Sequence, residues 1–214
     1  INTQYWTIPF HKSSRLQKTL QGLYKSYYLF FPNEKTFKKR ADKHRIDIKE
    51  LSQIYDKIPV KDPRFSLLIK YWHEFGSIDK ILYCFRHPYE VALSLKKREK
   101  IPLKLAYRIW YHHIDMFFRQ INHFKPLLTL INYNNFFIPE LQPAEYKRIH
   151  DFAEQSFNES RSAALTHQTL DWNLKSNTYA NEKIPPKIST MYNLLLKYHS
   201  TYKRPKRFDG HHSL

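Results

Sequence analysis

Three glycines in 214 residues leave almost no material for a backbone cradle around a phosphate chain. Gly22, Gly76 and Gly210 stand far apart, and none belongs to a G-x-x-x-x-G-K-[ST] loop. A single cysteine, Cys84, excludes a disulfide framework and any cluster of cysteine metal ligands. It lies inside an apolar run and reads as a buried small residue, and the cysteine count favours a reducing, cytoplasmic compartment. Acidic side chains are scarce too. Nineteen Asp and Glu against 36 Lys and Arg leave a formal charge of +17, which attracts nucleotides, acidic glycans, lipid headgroups or nucleic acid without choosing among them. No apolar run approaches the roughly 18 residues of a membrane span, and the first residues given carry no leader pattern. A segment ahead of Ile1 would carry either unseen.

What is present suits one domain with a real core, since 42% of the residues are hydrophobic and 16% aromatic. Leu16, Leu20, Leu23, Tyr24, Tyr27 and Tyr28 recur at helical spacing before Pro32. The basic segment Lys35 to Arg45 reads either as a solvated face or as an anionic acceptor site. A helix capped by Asp47 through Tyr55, a strand from Ile58 to Val60 and a helix from Phe65 to Phe75 follow. Ile81-Leu82-Tyr83-Cys84-Phe85 is a short apolar run bounded by charge, as in a strand covered on both faces. Pro88 suits the first turn of the next helix. A long helix from Leu103 to Phe124, a strand from Leu127 to Ile131, and helices from Asp151 to Phe157 and from Lys187 to Tyr198 complete the series. Alternating strands and helices predict an α/β fold, a parallel sheet flanked by helices, over residues 1–202. The polar stretch Thr166 to Pro186 reads as a lid or acceptor-binding loop, and residues 203–214 as a basic, mobile tail.

The chemistry gathers at the ends of strands. Arg86 closes the strand 81–85, and Ser94 lies one and a half turns into the following helix. An anion at that turn meets backbone N–H groups, the positive end of a helix dipole, a forked guanidinium and a hydroxyl. The plainer alternative pairs Arg86 with an acidic neighbour and makes Ser94 a packing residue. Lys61 ends the strand before, so two motifs converge on the sheet edge where α/β folds bind ligands. Tyr111-His112-His113 with Asp115 lacks the H-E-x-x-H spacing of a zinc site and reads as core-edge or solvent-facing histidine. Trp72 and Trp110 lie within helices of apolar periodicity and read as core.

Arg86-His87-Pro88-Tyr89-Glu90-Val91-Ala92-Leu93-Ser94 resembles the R-x-P-x-x-V-A-x-S signature of sulfotransferases that use 3′-phosphoadenylyl sulfate (PAPS). Lys61-Asp62-Pro63-Arg64 followed by Trp72 is similar to the K-D-P-R-x-x-x-x-x-x-x-W stretch of bacterial glycan-type members. Tyr133-Asn134-Asn135-Phe136 resembles the family's Y-E-D-L turn, with asparagines in place of the acidic pair, and Lys187 to Leu195 resembles its closing helix. The resemblance runs from about residue 60 to 196. It implies a P-loop-NTPase-like sulfotransferase fold, with Arg86 and Ser94 on the 3′-phosphate of PAPS as co-substrate and no metal. Lys61 would stabilise the departing bridge oxygen. Pro63 stands where related cytosolic enzymes carry the histidine base of a K-T-H stretch, which leaves Asp62 as a candidate base; Arg64 could instead tie Asp62 down. The family opens with a Gly-rich loop that holds the 5′-phosphosulfate, and no G-x-x-R-S-G-T variant of it is present. Asn2-Thr3-Gln4-Tyr5-Trp6 resembles the stretch after the family's first helix, so the resemblance implies an upstream strand, loop and helix. The activity implied is sulfuryl transfer from PAPS to a glycan or glycolipid. The rival is a catalytically silent sulfotransferase-like protein that binds an anionic glycan or partner in polysaccharide assembly. Peripheral membrane contact is compatible with either. Nucleic acid is disfavoured, for no helix-turn-helix, zinc or RNA-binding motif accompanies the charge.

Overall fold

The computed structural model describes residues 34–54, 65–76, 78, 80–154, 183–201 and 206–207. In chain order they form helices α1 (Glu34–Lys43), α2 (Arg45–Ile54) and α3 (Phe65–Phe75), strand β1 (Lys80–Phe85), and helices α4 (Pro88–Glu99) and α5 (Leu103–Ile121). Strand β2 (Leu127–Asn132), a 3-10 turn (Tyr133–Phe137), helices α6 (Gln142–Ala153) and α7 (Pro186–Thr201), and strand β3 (Lys206–Arg207) follow. This is a mixed α/β structure, mostly helical. The expected helix at 16–28, the strand at 58–60 and most of the 166–186 loop lie outside the described residues. Two compact units emerge: α1 to α3 with His112–Gln120 of α5, and the remaining described residues.

The first unit follows from apolar spacing. Leu67, Leu68, Tyr71, Trp72 and Phe75 recur every one to four residues along α3 and are all buried, as are Ile114, Phe117 and Phe118 of α5. Each large side chain so buried contributes about 1.5–3 kcal/mol. Phe65 and Trp72 meet edge to face with centroids 5.2 Å apart, as do Phe117 and Phe118. Polar groups tie α3 to α5: Ser66 Oγ lies 2.8 Å from His113 Nδ1, and the Lys70 N–H donates to Gln120 Oε1 at 3.0 Å. His113 is thus a core-edge histidine that holds a neighbouring helix.

In the second unit β1 and β2 pair in parallel over their whole length, from Lys80 beside Leu127 to Phe85 beside Asn132. Leu127 and Leu128 continue the sheet, antiparallel to Arg207 and Lys206, so two residues of the basic tail are held as a strand. Among the described residues the sheet holds one parallel pair. β2, in the middle, is buried from Leu128 to Asn132. β1 lies beside it, the outer strand among the described residues, and is buried only at Ile81 and Phe85, so its run of apolar residues does not mean two covered faces. Cys84 is accordingly exposed rather than buried. Ile188, Met191, Leu195 and Tyr198 give α7 its buried stripe.

Gly76, just past α3, sits where a side chain has no room. A Cβ built there would lie 2.6 Å from Ser52 Cβ and 2.9 Å from the Trp72 carbonyl oxygen, and the latter is backbone that cannot swing away. Gly76→Ala is therefore expected to destabilise the chain by about 1–3 kcal/mol in urea unfolding, with Ser52→Gly restoring part of the loss. Unchanged stability in the single variant would show that α2 and α3 are not packed this closely.

Candidate functional site

The register of the parallel pair builds the site. Phe85 faces Asn132 across the strands, so the chain emerges from both at one level with Arg86 and Tyr133 next in line. The Arg86 guanidinium lies over the Tyr133 ring, 4.8 Å from its centroid, a cation–π contact. Pro88 at the first position of α4 starts the helix, whose first turn carries Glu90. Arg86 Nε donates to Glu90 Oε2, one helical turn on, and the Glu90 side chain is only 2% exposed against 22% for Arg86. The Trp110 indole N–H donates to the Arg86 carbonyl at 3.2 Å and holds the strand end from behind. Trp110 is core, as its periodicity suggests, with its polar tip put to use.

The asparagines after β2 join the two strand ends. Asn132 Oδ1 accepts the Asn134 N–H at 3.1 Å, closing a side-chain turn that caps the 3-10 segment. Asn134 then bridges: its Oδ1 accepts the His87 N–H at 2.9 Å, and its Nδ2 donates to Glu90 Oε1 at 2.6 Å. Asn135 Nδ2 donates to Glu145 Oε1 at 2.7 Å, and Asn132 Nδ2 to Asn135 Oδ1 at 3.1 Å. Glu145, on α6 and 1% exposed, also accepts the Asn132 N–H at 3.2 Å and lies 2.6 Å from His199 Nε2 of α7. Two buried carboxylates are thereby met by an arginine, three asparagines and a histidine.

Aromatic rings close over this network. Tyr192 packs edge-on to His87 at 4.9 Å and near Phe85 and Trp110 at 6.2 and 6.4 Å. Burial, with the Glu90 charge beside it, pushes the Tyr192 hydroxyl up to about 12, so it stays protonated and neutral at ordinary pH. Burial likewise lowers the His87 pKa below the ordinary histidine value and favours its neutral ring.

Of the residues singled out from the sequence, Arg86 stands at the strand-to-helix turn, where it pairs with an acidic neighbour as the plainer alternative has it. Ser94 lies exposed farther along α4. Lys61 and Asp62 fall outside the described residues. The linking residues Asn132, Asn134, Asn135, Glu90, Glu145 and His199 were not singled out as site residues. An i, i+4 Arg–Glu spacing and an Asn-x-Asn run after a strand were the signals for the first four; Glu145 and His199 carry none. Helix α6 was expected only at 151–157 and begins at Gln142 instead, with Pro143 in its first turn; two of its three buried residues are Glu145 and Arg148, which erases an apolar period. No family model, curated protein or solved structure matches the chain.

The Asn134 amide needs both its ends. Asn134→Asp removes the donor to Glu90 and sets a second carboxylate against it, so a loss of about 1–3 kcal/mol is expected, smaller at acid pH. A neutral effect in denaturant unfolding would show that Glu90 does not depend on this amide. The lowered His87 pKa has its own sign: the unfolded chain takes up the proton below about pH 6.5 while the native ring resists it. Its contribution is thus whole above that value and is lost as pH falls through the window below it. The melting temperature should drop on acidification through this range, and drop less in His87→Phe; equal drops would remove His87 from the account.

Proposed function

We propose that this chain is a PAPS-dependent sulfotransferase, or the larger part of one, that moves a sulfuryl group to a hydroxyl or amine of a glycan or glycolipid. One observation carries the reading: the residues of R-x-P-x-x-V-A-x-S run from the carboxyl end of a parallel strand through a turn into a proline-started helix, the place where α/β folds bind phosphates. The reading brings with it a P-loop-NTPase-like sulfotransferase fold and a bound nucleotide whose 3′-phosphate meets Arg86 and Ser94. The Glu90 bond is made at Nε, so it does not itself consume the terminal nitrogens with which an arginine grips a phosphate. Sulfuryl transfer rests on position and electrostatics, for which Lys61 would balance charge on the departing bridge oxygen and Asp62 would take the acceptor proton.

The second reading is a catalytically silent sulfotransferase-like protein that holds an anionic glycan or partner in polysaccharide assembly. A specific observation favours it: a buried carboxylate already engages Arg86 in the first turn of α4, where a phosphate would need the same field. Calorimetric titration separates the two. For an enzyme, 3′,5′-adenosine diphosphate binds and adenosine 5′-monophosphate binds far more weakly. Arg86→Ala then costs about 1.5–3 kcal/mol of affinity, and Glu90→Gln tightens binding by removing a negative charge that competes for the same field. A folded chain that binds neither nucleotide, or that binds equally well without Arg86, overturns the enzyme reading.

A further inference from the structure

Helices α5 and α7 meet beside the strand-end site and carry charge of one sign there. Trp110, whose indole N–H holds the Arg86 carbonyl, packs near Tyr192 of α7. The next residue, Tyr111, takes the Lys187 ammonium from the first turn of α7 over its ring, 4.4 Å from the centroid. Lys104, Arg108 and Tyr111 stand at i, i+4 and i+7 and share one face of α5, so two exposed cations lead along about 10 Å of helix to a third supplied by α7. No Asp or Glu occurs from Lys100 to Ile114 or from Lys183 to Thr201. The carboxylates that flank the first of these segments are engaged already: Glu99 meets Arg98 at 2.8 Å, and Asp115 meets Arg119 at 3.1 Å.

We propose that this face of α5 and α7 seats an acidic glycan on its approach to the strand ends, with carboxylate or sulfate groups set against Lys104, Arg108 and Lys187. The inference rests on the glycan reading above and narrows it to a negatively charged chain. The surroundings of the cations decide the partner. A lipid surface wants apolar side chains among the charges. Among the described residues no helix is long and apolar enough to cross a membrane, and the exposed large hydrophobics Ile46, Ile138 and Leu141 lie on neither α5 nor α7. A single-stranded nucleic acid wants open ring faces on which bases stack. Here Tyr107 and Trp110 are buried, and Lys187 covers a face of Tyr111. A saccharide needs neither, since its charged groups are met by exposed ammonium and guanidinium groups alone.

The test is calorimetric titration of the full chain with a heparin hexasaccharide, a dextran hexasaccharide and a single-stranded oligonucleotide of the same charge as the heparin. The heparin fragment is expected to bind, more weakly as salt rises, with the oligonucleotide weaker and dextran silent. Lys104→Gln, Arg108→Gln and Lys187→Gln should each weaken binding about two- to fivefold, and the triple variant at least about tenfold, while Lys104→Arg keeps it. Lys49→Gln, on the exposed side of α2, removes the same charge elsewhere and should leave affinity unchanged. Equal losses in Lys49→Gln, an oligonucleotide that binds as tightly, or no heparin binding to the folded chain would each overturn the inference. Titration of the same samples with 3′,5′-adenosine diphosphate keeps the two proposals apart: nucleotide binding without the hexasaccharide overturns this one alone, and the hexasaccharide without the nucleotide overturns the enzyme reading alone.

Discussion

Two carboxylates, Glu90 and Glu145, are buried at the carboxyl end of a parallel strand pair, and the surrounding architecture is organised by the need to satisfy them. An isolated buried carboxylate costs several kcal/mol, and hydrogen bonds with a compensating charge must offset that cost. Glu90 receives Arg86 from its own helical turn and Asn134 from across the sheet. Glu145 receives a backbone N–H and a side-chain amide from the end of β2, and His199 from α7. Each carboxylate therefore draws partners from more than one element. The network fixes the level at which β1 and β2 end and seats both α6 and α7 against β2.

This network accounts for asparagines rather than acidic residues at 134 and 135. Acidic residues at 134 and 135 would face Glu90 and Glu145, and four carboxylates could not remain ionised together at such a site. Amides present a donor to each glutamate and an acceptor to a backbone or side-chain N–H. The same arrangement commits the Arg86 Nε to Glu90 of its own protein.

The sequence was most legible where burial is apolar. Phe65–Phe75 announces itself through its spacing, and the strand at 127 through an unbroken run that is indeed covered. Legibility failed where burial is polar or one-sided. Helix α6 hides because Glu145 and Arg148 occupy its inner face. Strand β1 resembles β2 in composition, yet only Ile81 and Phe85 of it are buried and Cys84 is exposed. Helix α5 stops at Ile121 rather than Phe124 because the Phe124 and Lys125 N–H groups both turn back to the Ile121 carbonyl, with Lys125 at φ 45°. At the strand-to-helix turn, position and helix start were readable and Arg86 was found, but its partners across the sheet were not, since long-range pairing leaves no local period.

The chain order of these contacts bears on how the protein is made. β1 leaves the ribosome well before β2, and His199, the last donor to Glu145, comes later still. Until α7 has been synthesised Glu145 has its two asparagine bonds but not His199, and the strand end is complete only when that helix docks. Non-local closure of this kind is slow and leaves strand edges open in the interval. The finished strand end is thus a late product of biosynthesis, completed by a residue more than 60 positions beyond the strand it secures.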